Sequence, residues 1–478
     1  MTRHLSRRSF LKSTGIGVVA AGFSGCARVA VSKRSSEVAT ASQPNFVLIL
    51  ADDLGYGELG CYGQKLIQTP NLDQMAAEGM RFTDHYAGST VCAPSRCCLM
   101  TGLHTGHAYI RGNQEIQPMG QLPLPAETET LPRMLQRAGY TTALIGKWGL
   151  GGPGSSGTPN NQGFDHFFGY LCQRHAHNHY PEFLFRNDQR VPLSNKVEGG
   201  RADGAGVASE KKEYAYDLME AEALEFLAQN KDRPFFLCLA VTLPHANNEA
   251  GHNGMEVPDF GQYAGRDWPQ AEKGRAAMIS RLDRGVGRIL RRIKNLGLDE
   301  NTLVFFTSDN GPHREGGSDP NFFASNAPFR GIKRDLYEGG IRVPLIARWP
   351  GRIEAGTTTG HVSAFWDFLP TLAVLAGGQT PSQTDGVCMA PTLLGVPRKQ
   401  KQHQYLYWEF HERGFAQAVR MGPWKAVRLP GGTLELYNLQ TDPGETTNLA
   451  DSQPKILAAI RRCLAEARTE SPYWPVEA

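Results

Sequence analysis

Continuous apolar runs of strand length recur along the chain, and each stops at polar residues. Asn45–Ala51 predicts a buried strand and is followed directly by Asp52 and Asp53. Thr141–Gly146 predicts a second strand with Lys147 at its end, and Pro234–Thr242 a third ahead of Pro244 and His245. Thr302–Thr307 predicts a fourth, closed by Asp309, Asn310 and Gly311. Helical periodicity fills the intervals. Thr69-Pro70 opens a helix with Leu72, Met75 and Ala76 on one face and Gly79 as its stop, and Leu131–Ala138, Glu213–Gln229 and Arg275–Leu296 read as further helices. Alternation of continuous apolar strands with helices predicts an α/β fold, a large mainly parallel sheet covered on both faces. Later in the chain, Tyr405–Phe410, Gln417–Met421, Trp424–Val427 and Leu434–Tyr437 read as short strands ahead of a helix near Ile456–Ala467. That order predicts a small antiparallel sheet with one packing helix, whose loops can wall a cleft.

In a parallel sheet, ligands gather beyond the carboxyl ends of the strands. Four predicted strand ends carry Asp52/Asp53, Lys147, His245 and Asp309/Asn310. Three carboxylates and an amide form a hard, oxygen-only donor set, suited to Ca²⁺ or Mg²⁺ and not to zinc or copper. Between the first two ends lies Val91-Cys92-Ala93-Pro94-Ser95-Arg96. Pro94 suits the first turn of a helix, which puts Cys92 at a helix N-terminus, where free N–H groups favour anions, with Arg96 adding fixed positive charge. The tract Leu171–Tyr180 holds Arg174, His175, His177 and His179. Such a tract fits transition-metal binding, a sugar-contacting loop or plain structural hydrogen bonding. Arg174, His175, His177 and His313 are the candidate substrate contacts, with Glu315, His104, His107 and Arg111 as further candidates.

Charge narrows the function. Among 478 residues, 50 Lys and Arg against 47 Asp and Glu leave a net charge of +3, so nucleic-acid binding through bulk positive charge is excluded and recognition must be local. Nine cysteines show neither a small-scaffold framework nor paired CxxC motifs, and Cys238 lies inside an apolar run. At the other end of the chain, Ser6-Arg7-Arg8-Ser9-Phe10-Leu11-Lys12 precedes a short apolar run from Gly15 to Phe23, the layout of a twin-arginine export signal. Phe23-Ser24-Gly25-Cys26 is similar to a lipobox, which makes lipid at Cys26 the expected membrane link, and the expected location periplasmic or cell-surface. The organisation expected is therefore signal 1–26, linker 27–43, catalytic domain 44–378 and a smaller C-terminal subdomain 379–478.

Cys92-Ala93-Pro94-Ser95-Arg96 resembles the type I sulfatase signature C-x-P-S-R, continued by Leu99-Met100-Thr101-Gly102. The likeness extends to Ala51–Gly57, Gly146-Lys147-Trp148, Pro244-His245, Ser308–Gly311, Gly331-Ile332-Lys333, Glu338–Pro344, Asp367–Thr371 and Asp385-Gly386, in family order. The resemblance implies an alkaline phosphatase-like fold and hydrolysis of a sulfuric ester, most simply of a sulfated carbohydrate. It implies that a separate maturation enzyme oxidises Cys92 to formylglycine, whose hydrated aldehyde attacks sulfur with one oxygen and expels sulfate with the other. By motif position, Asp52, Asp53, Asp309 and Asn310 would bind the metal, and Arg96 and Lys147 would hold and activate residue 92. Lys333 would bind sulfate, and His245 would bind sulfate or protonate the leaving oxygen. One departure stands out: the family often has histidine where this chain has Gly149, within Gly146-Lys147-Trp148-Gly149-Leu150-Gly151. Alternative readings are a phosphonate or phosphodiester hydrolase of the same superfamily and a non-catalytic glycan-binding protein on this scaffold.

Overall fold

The computed structural model describes residues 43–476. The arginine pair, Cys26 and all but the last residue of the expected linker lie outside them. Among the described residues no helix is long and apolar enough to cross a membrane, and all eight cysteines are free. Asn45–Ala51, buried at every position, sits inside a ten-stranded sheet. On one side it pairs in parallel with Thr302–Ser308, on the other with Phe235–Ala240, which pairs in parallel with Thr141–Lys147. The register aligns the strand ends, with Ala51 opposite Ser308, Leu50 opposite Ala240, and Ala240 opposite Gly146. Residues with no side-chain alternation can lie only between two covered faces, and two large apolar clusters fill those faces.

The sheet is mixed at its margins. His166–Tyr170 continues it in parallel, while Phe183–Arg186, Gln189–Pro192, Leu345–Arg348 and Met80–Phe82 enter antiparallel pairings. These strands run three to five residues, too short for a pattern to declare itself in sequence. The long amphipathic helix is Gln270–Asn295, five residues longer at its start than its periodicity predicts. The five added residues include Glu272 and Gly274 as buried positions, and Gly274 packs against Met255, so burial there leaves no apolar signature. Leu406–Phe410, Ala416–Met421, Trp424–Arg428 and Leu434–Asn438 form a four-stranded antiparallel sheet in chain order. Pro454–Glu466 covers it, with Ile460 and Leu464 against Tyr407, Val419, Ala426 and Leu436.

Candidate active site

The four polar strand ends belong to four adjacent parallel strands, so register alone brings Asp52/Asp53, Lys147, His245 and Asp309/Asn310 to one edge. Beside that edge lies the helix Cys92–Thr101, buried along its whole length. Ser95 ties it to the sheet: its hydroxyl donates to the Asp309 carbonyl at 2.5 Å and accepts from Gly88 N at 3.0 Å. Arg96 then donates from Nε and Nη2 to Asp309 Oδ2 at 3.0 and 2.8 Å, and from Nη1 to the Lys147 carbonyl at 2.5 Å. The guanidinium is thereby a bracket between two strand ends and the helix that carries Cys92.

Cys92 Sγ lies 3.5 Å from Asp52 Oδ1, and Lys147 Nζ donates to Asp52 Oδ2 at 2.7 Å. Burial pushes the thiol well above its ordinary range, so the unmodified side chain stays protonated and is a weak nucleophile. Burial also works against ionisation of Asp52 and Asp53, but Lys147 beside the first and Lys333 beside the second hold both carboxyls below their usual range. Asp309 goes the other way, to about 7, because burial and the neighbouring Asp52 charge outweigh Arg96. Asn310 Nδ2 donates to Asp53 Oδ1 at 2.6 Å, while its buried Oδ1 has no hydrogen-bond partner. An orphaned carbonyl beside three crowded carboxyl groups is the donor chemistry a hard divalent cation completes. Ligand atoms of Asp52, Asp53, Cys92 and His245 all lie within 4.8 Å of one another.

Lys333 closes the group from another loop. Its Nζ donates to Asp53 Oδ2 at 2.7 Å and to His245 Nε2 at 3.1 Å, with Glu315 Oε2 at 3.5 Å. An ammonium only donates, so His245 Nε2 is the acceptor; its Nδ1 lies 2.7 Å from the Ala246 carbonyl and must carry the proton. Burial and Lys333 push the imidazole well below 6.5, in agreement with that tautomer. His177 stacks on His245 at 4.9 Å and 14°, and His179 Nε2 lies 2.9 Å from the His245 carbonyl.

A cavity of about 270 Å³ opens over these groups, lined by Cys92, Lys147, His245 and Lys333. Arg174 and His177 also line it, as do Asn113, Glu115, Gln121, Gln173, Asn248, Arg334 and Glu412. Arg174 pairs with Glu115 at 3.1 Å, and His177 with Glu249 at 3.2 Å. Glu412 comes from the hairpin between the first two strands of the C-terminal sheet, so that subdomain does wall the cleft. A larger hollow of about 800 Å³, lined by Thr101, Glu127, Arg137 and Gln383 among others, contains none of the strand-end residues.

Two candidate substrate contacts face elsewhere. His175 and His177 fall in one 3₁₀ turn, His175–His177, where residues two apart point in different directions. His175 is fully buried, edge-on to Tyr170 at 4.9 Å and against Phe183 at 4.5 Å, and burial lowers it to about 3. His313 lies behind the cavity. Its Nδ1 accepts from Glu315 N at 2.9 Å and its Nε2 lies 3.2 Å from the Pro244 carbonyl, beside Arg275, whose guanidinium donates to the Asp53 carbonyl at 3.2 Å. Neither of these two candidate contacts lines the cavity, and His313 falls instead in a group with Asp53 and Glu315. His104, His107 and Asp385 form a separate group, and Arg111 pairs with Glu409 at 3.0 Å away from the cavity. The lining residues Asn113, Glu115, Gln121, Gln173, Asn248 and Glu412 were missed because they converge only through tertiary structure.

A family profile described as Sulfatase matches residues 44–378, and one described as N-sulphoglucosamine sulphohydrolase, C-terminal, matches residues 331–470. Human arylsulfatase A is 35% identical over 479 residues, covering 89% of this chain and 88% of that protein. Mouse N-acetylgalactosamine-6-sulfatase is 35% identical over 400 residues, covering 80% of this chain and 71% of that protein. Among solved structures, Ps i-CgsB in complex with k-i-k-neocarrahexaose matches with a TM-score of 0.76 and 27% identity, covering 91% of this chain and 96% of that one.

Proposed function

The chain belongs to the sulfatase family and is a sulfuric ester hydrolase, and on that premise we propose that it desulfates a carbohydrate with Cys92 as formylglycine and Ca²⁺ as its metal. The observation that carries the reading is the position of Cys92, at a helix N-terminus, 3.5 Å from Asp52 and lining a cavity with two lysines. A formylglycine at residue 92 would supply a hydrated aldehyde as the nucleophile toward sulfur, and a divalent cation would supply charge that polarises the ester. Asp52, Asp53, Asp309 and Asn310 would hold that cation, as the unpaired Asn310 carbonyl favours. Lys147 and Lys333, which line the cavity, would donate toward the sulfate oxygens, while Arg96 fixes the helix to Asp309 and His245 Nε2 aims Lys333 by accepting its hydrogen bond. The carbohydrate reading is supported by the hexasaccharide in the related structure and by a cavity wall rich in amides and paired charges. Maturation of Cys92 by a formylglycine-generating enzyme, export through the twin-arginine route and lipid at Cys26 belong to the same proposal.

Sulfate release from a panel of defined sulfated saccharides tests the substrate class, and peptide mass spectrometry of an active preparation tests residue 92. Only thiol in fully active protein would end the formylglycine assignment. Chelation should remove activity and Ca²⁺ restore it, with a lower melting temperature in the chelated protein, since a cation that binds only the folded state stabilises it by about 2.7 kcal/mol at a hundred times its dissociation constant. Full activity of a demonstrably metal-free sample overturns the metal assignment.

A further inference from the structure

Gly149 adopts φ +84°, and a Cβ built there would fall on the Gln173 side chain, within its van der Waals surface. The space in front of residue 149 is therefore filled by an amide delivered from the next loop. Two backbone bonds clamp the segments side by side, Trp148 N donating to the Tyr170 carbonyl at 2.9 Å and Gly149 N to the Leu171 carbonyl at 3.2 Å. Gln173 is 7% exposed, and neither its Oε1 nor its Nε2 has a hydrogen-bond partner. Gln121, 2% exposed, is in the same condition. Both line the cavity that contains Cys92, Lys147 and Lys333.

A buried amide left unpaired weakens the fold, and among the described residues Gln121 and Gln173 are the two buried carboxamides with both oxygen and nitrogen unpartnered. Gln64, buried under the sheet edge, donates to Gly57 and Phe323 carbonyls and accepts from Lys65 and Leu66 N–H groups. Two unpaired carboxamides lining one cavity have their capacity held for a ligand. The kind of ligand follows from donor arithmetic. Sulfate oxygens only accept, and the ammonium groups of Lys147 and Lys333, which only donate, line the cavity to meet them. A carboxamide both donates and accepts, and so does a sugar hydroxyl. We infer that Gln173 and Gln121 form a subsite for a hydroxyl of the sugar beside its sulfate ester, a subsite that exists because residue 149 is glycine. This rests on the carbohydrate reading above.

The test compares wild-type protein with Gln173→Met, which keeps length and removes hydrogen bonding, with residue 92 quantified by mass in each. On a sulfated monosaccharide, kcat/KM should fall about 10–100-fold, the scale of one or two lost hydrogen bonds to a neutral group. On 4-nitrophenyl sulfate, which has no hydroxyl, it should stay within about twofold. A deoxy sugar lacking the neighbouring hydroxyl should cost wild type a similar factor and cost Gln173→Met nothing more. Equal loss on both esters would place Gln173 against sulfate or residue 92 and overturn the inference, as would no loss on either. If Gln173→Met fails to fold, Gln121→Met and the deoxy sugar on wild type decide by the same criteria. Wild-type turnover of the aryl ester with none of the sulfated saccharides would instead overturn the carbohydrate reading, and the subsite with it.

Discussion

Two clusters of buried charge in this protein are built differently. At the cavity, Lys147 and Lys333 each pair with an aspartate, yet the carbonyl of Asn310 and the amides of Gln121 and Gln173 are left without partners. Behind it, Lys425 from the C-terminal sheet lies 2.9 Å from Glu338 Oε1 and 3.0 Å from Glu445 Oε1, all three side chains fully buried. There Glu338 Oε2 accepts from Tyr86 Oη at 2.6 Å and Arg342 Nη1 at 3.0 Å, and Glu445 Oε2 accepts from Glu338 N at 2.7 Å. Charge alone does not mark an active site. What separates the two is access to the cavity: Lys147, Lys333, Gln121 and Gln173 line it, whereas Lys425, Glu338 and Glu445 meet one another at ion-pair distance away from it, without aligned hydrogen bonds between them, and link the C-terminal sheet to the rest of the fold. The Glu338–Pro344 segment, which reads in sequence as part of the sulfatase pattern, does the second job.

Removing the reacting atom should separate the two clusters most sharply. Cys92→Ala is expected to lower turnover on the order of 10⁶-fold, the scale of deleting a nucleophile that works as a unit with its neighbours. Its melting temperature should barely move, because a small buried side chain replaces another. Sulfate release and thermal melting measure the pair, and turnover within tenfold of wild type would break the assignment of Cys92.

The opposite pattern is expected at the Lys425 cluster. Lys425→Met leaves Glu338 and Glu445 facing each other without their shared cation, and stripping one partner from a buried ion pair costs about 3–5 kcal/mol. Urea unfolding should register that loss, while kcat of the folded fraction stays near wild type. A large fall in kcat with unchanged stability would mean that this cluster feeds the chemistry.

Within the site, His245→Ala distinguishes orientation from proton transfer. Because His245 Nε2 accepts from Lys333, the imidazole presents no proton to the cavity in this arrangement. Losses of about 10²-fold are expected on sugar sulfate and aryl sulfate alike, the scale of losing one preorganised donor to developing charge, because Lys333 would lose the acceptor that aims it. A loss confined to the unactivated sugar ester would restore His245 as the general acid.

Legibility in the sequence followed the length of each signal. Asn45–Ala51 and Thr302–Ser308 are seven-residue buried strands built on continuous apolar stretches, and the acidic residues after them were readable as a site because parallel strands align their ends. Leu345–Arg348 and Phe183–Arg186 are four-residue strands whose pairing depends on neighbours distant in sequence, so nothing local announced them. His175 was misplaced for a related reason: the sequence shows that histidines alternate but not that a 3₁₀ turn divides them between core and cavity. Gln121 and Gln173 carry no local signal at all. Gly149 was the one visible trace, as a missing side chain whose replacement only the fold could identify.

The mildest way to sharpen the comparison is through pH. Burial pushes the Glu445 carboxyl from 4.5 up to about 7, with the Lys425 charge opposing that rise and the Glu338 charge adding to it. Glu338 is the ionised partner, held at about 2, because Lys425 and Arg342 outweigh its own burial. A raised folded-state value means that the folded protein keeps a proton the unfolded chain has released. The stability this supplies is complete below about pH 4.5 and is lost as pH rises through about 7. Every tenfold difference in proton affinity between the folded and unfolded chain is worth about 1.4 kcal/mol, so the loss between pH 5 and 7.5 is about 2–3 kcal/mol. Glu445→Gln fixes the neutral state and should flatten this part of the profile, leaving the variant less sensitive than wild type between those pH values. Melting curves at pH 5 and 7.5 for both proteins measure the difference, and parallel slopes would mean that Glu445 stays ionised beside Lys425 throughout, in a cluster then balanced like the aspartates at the cavity.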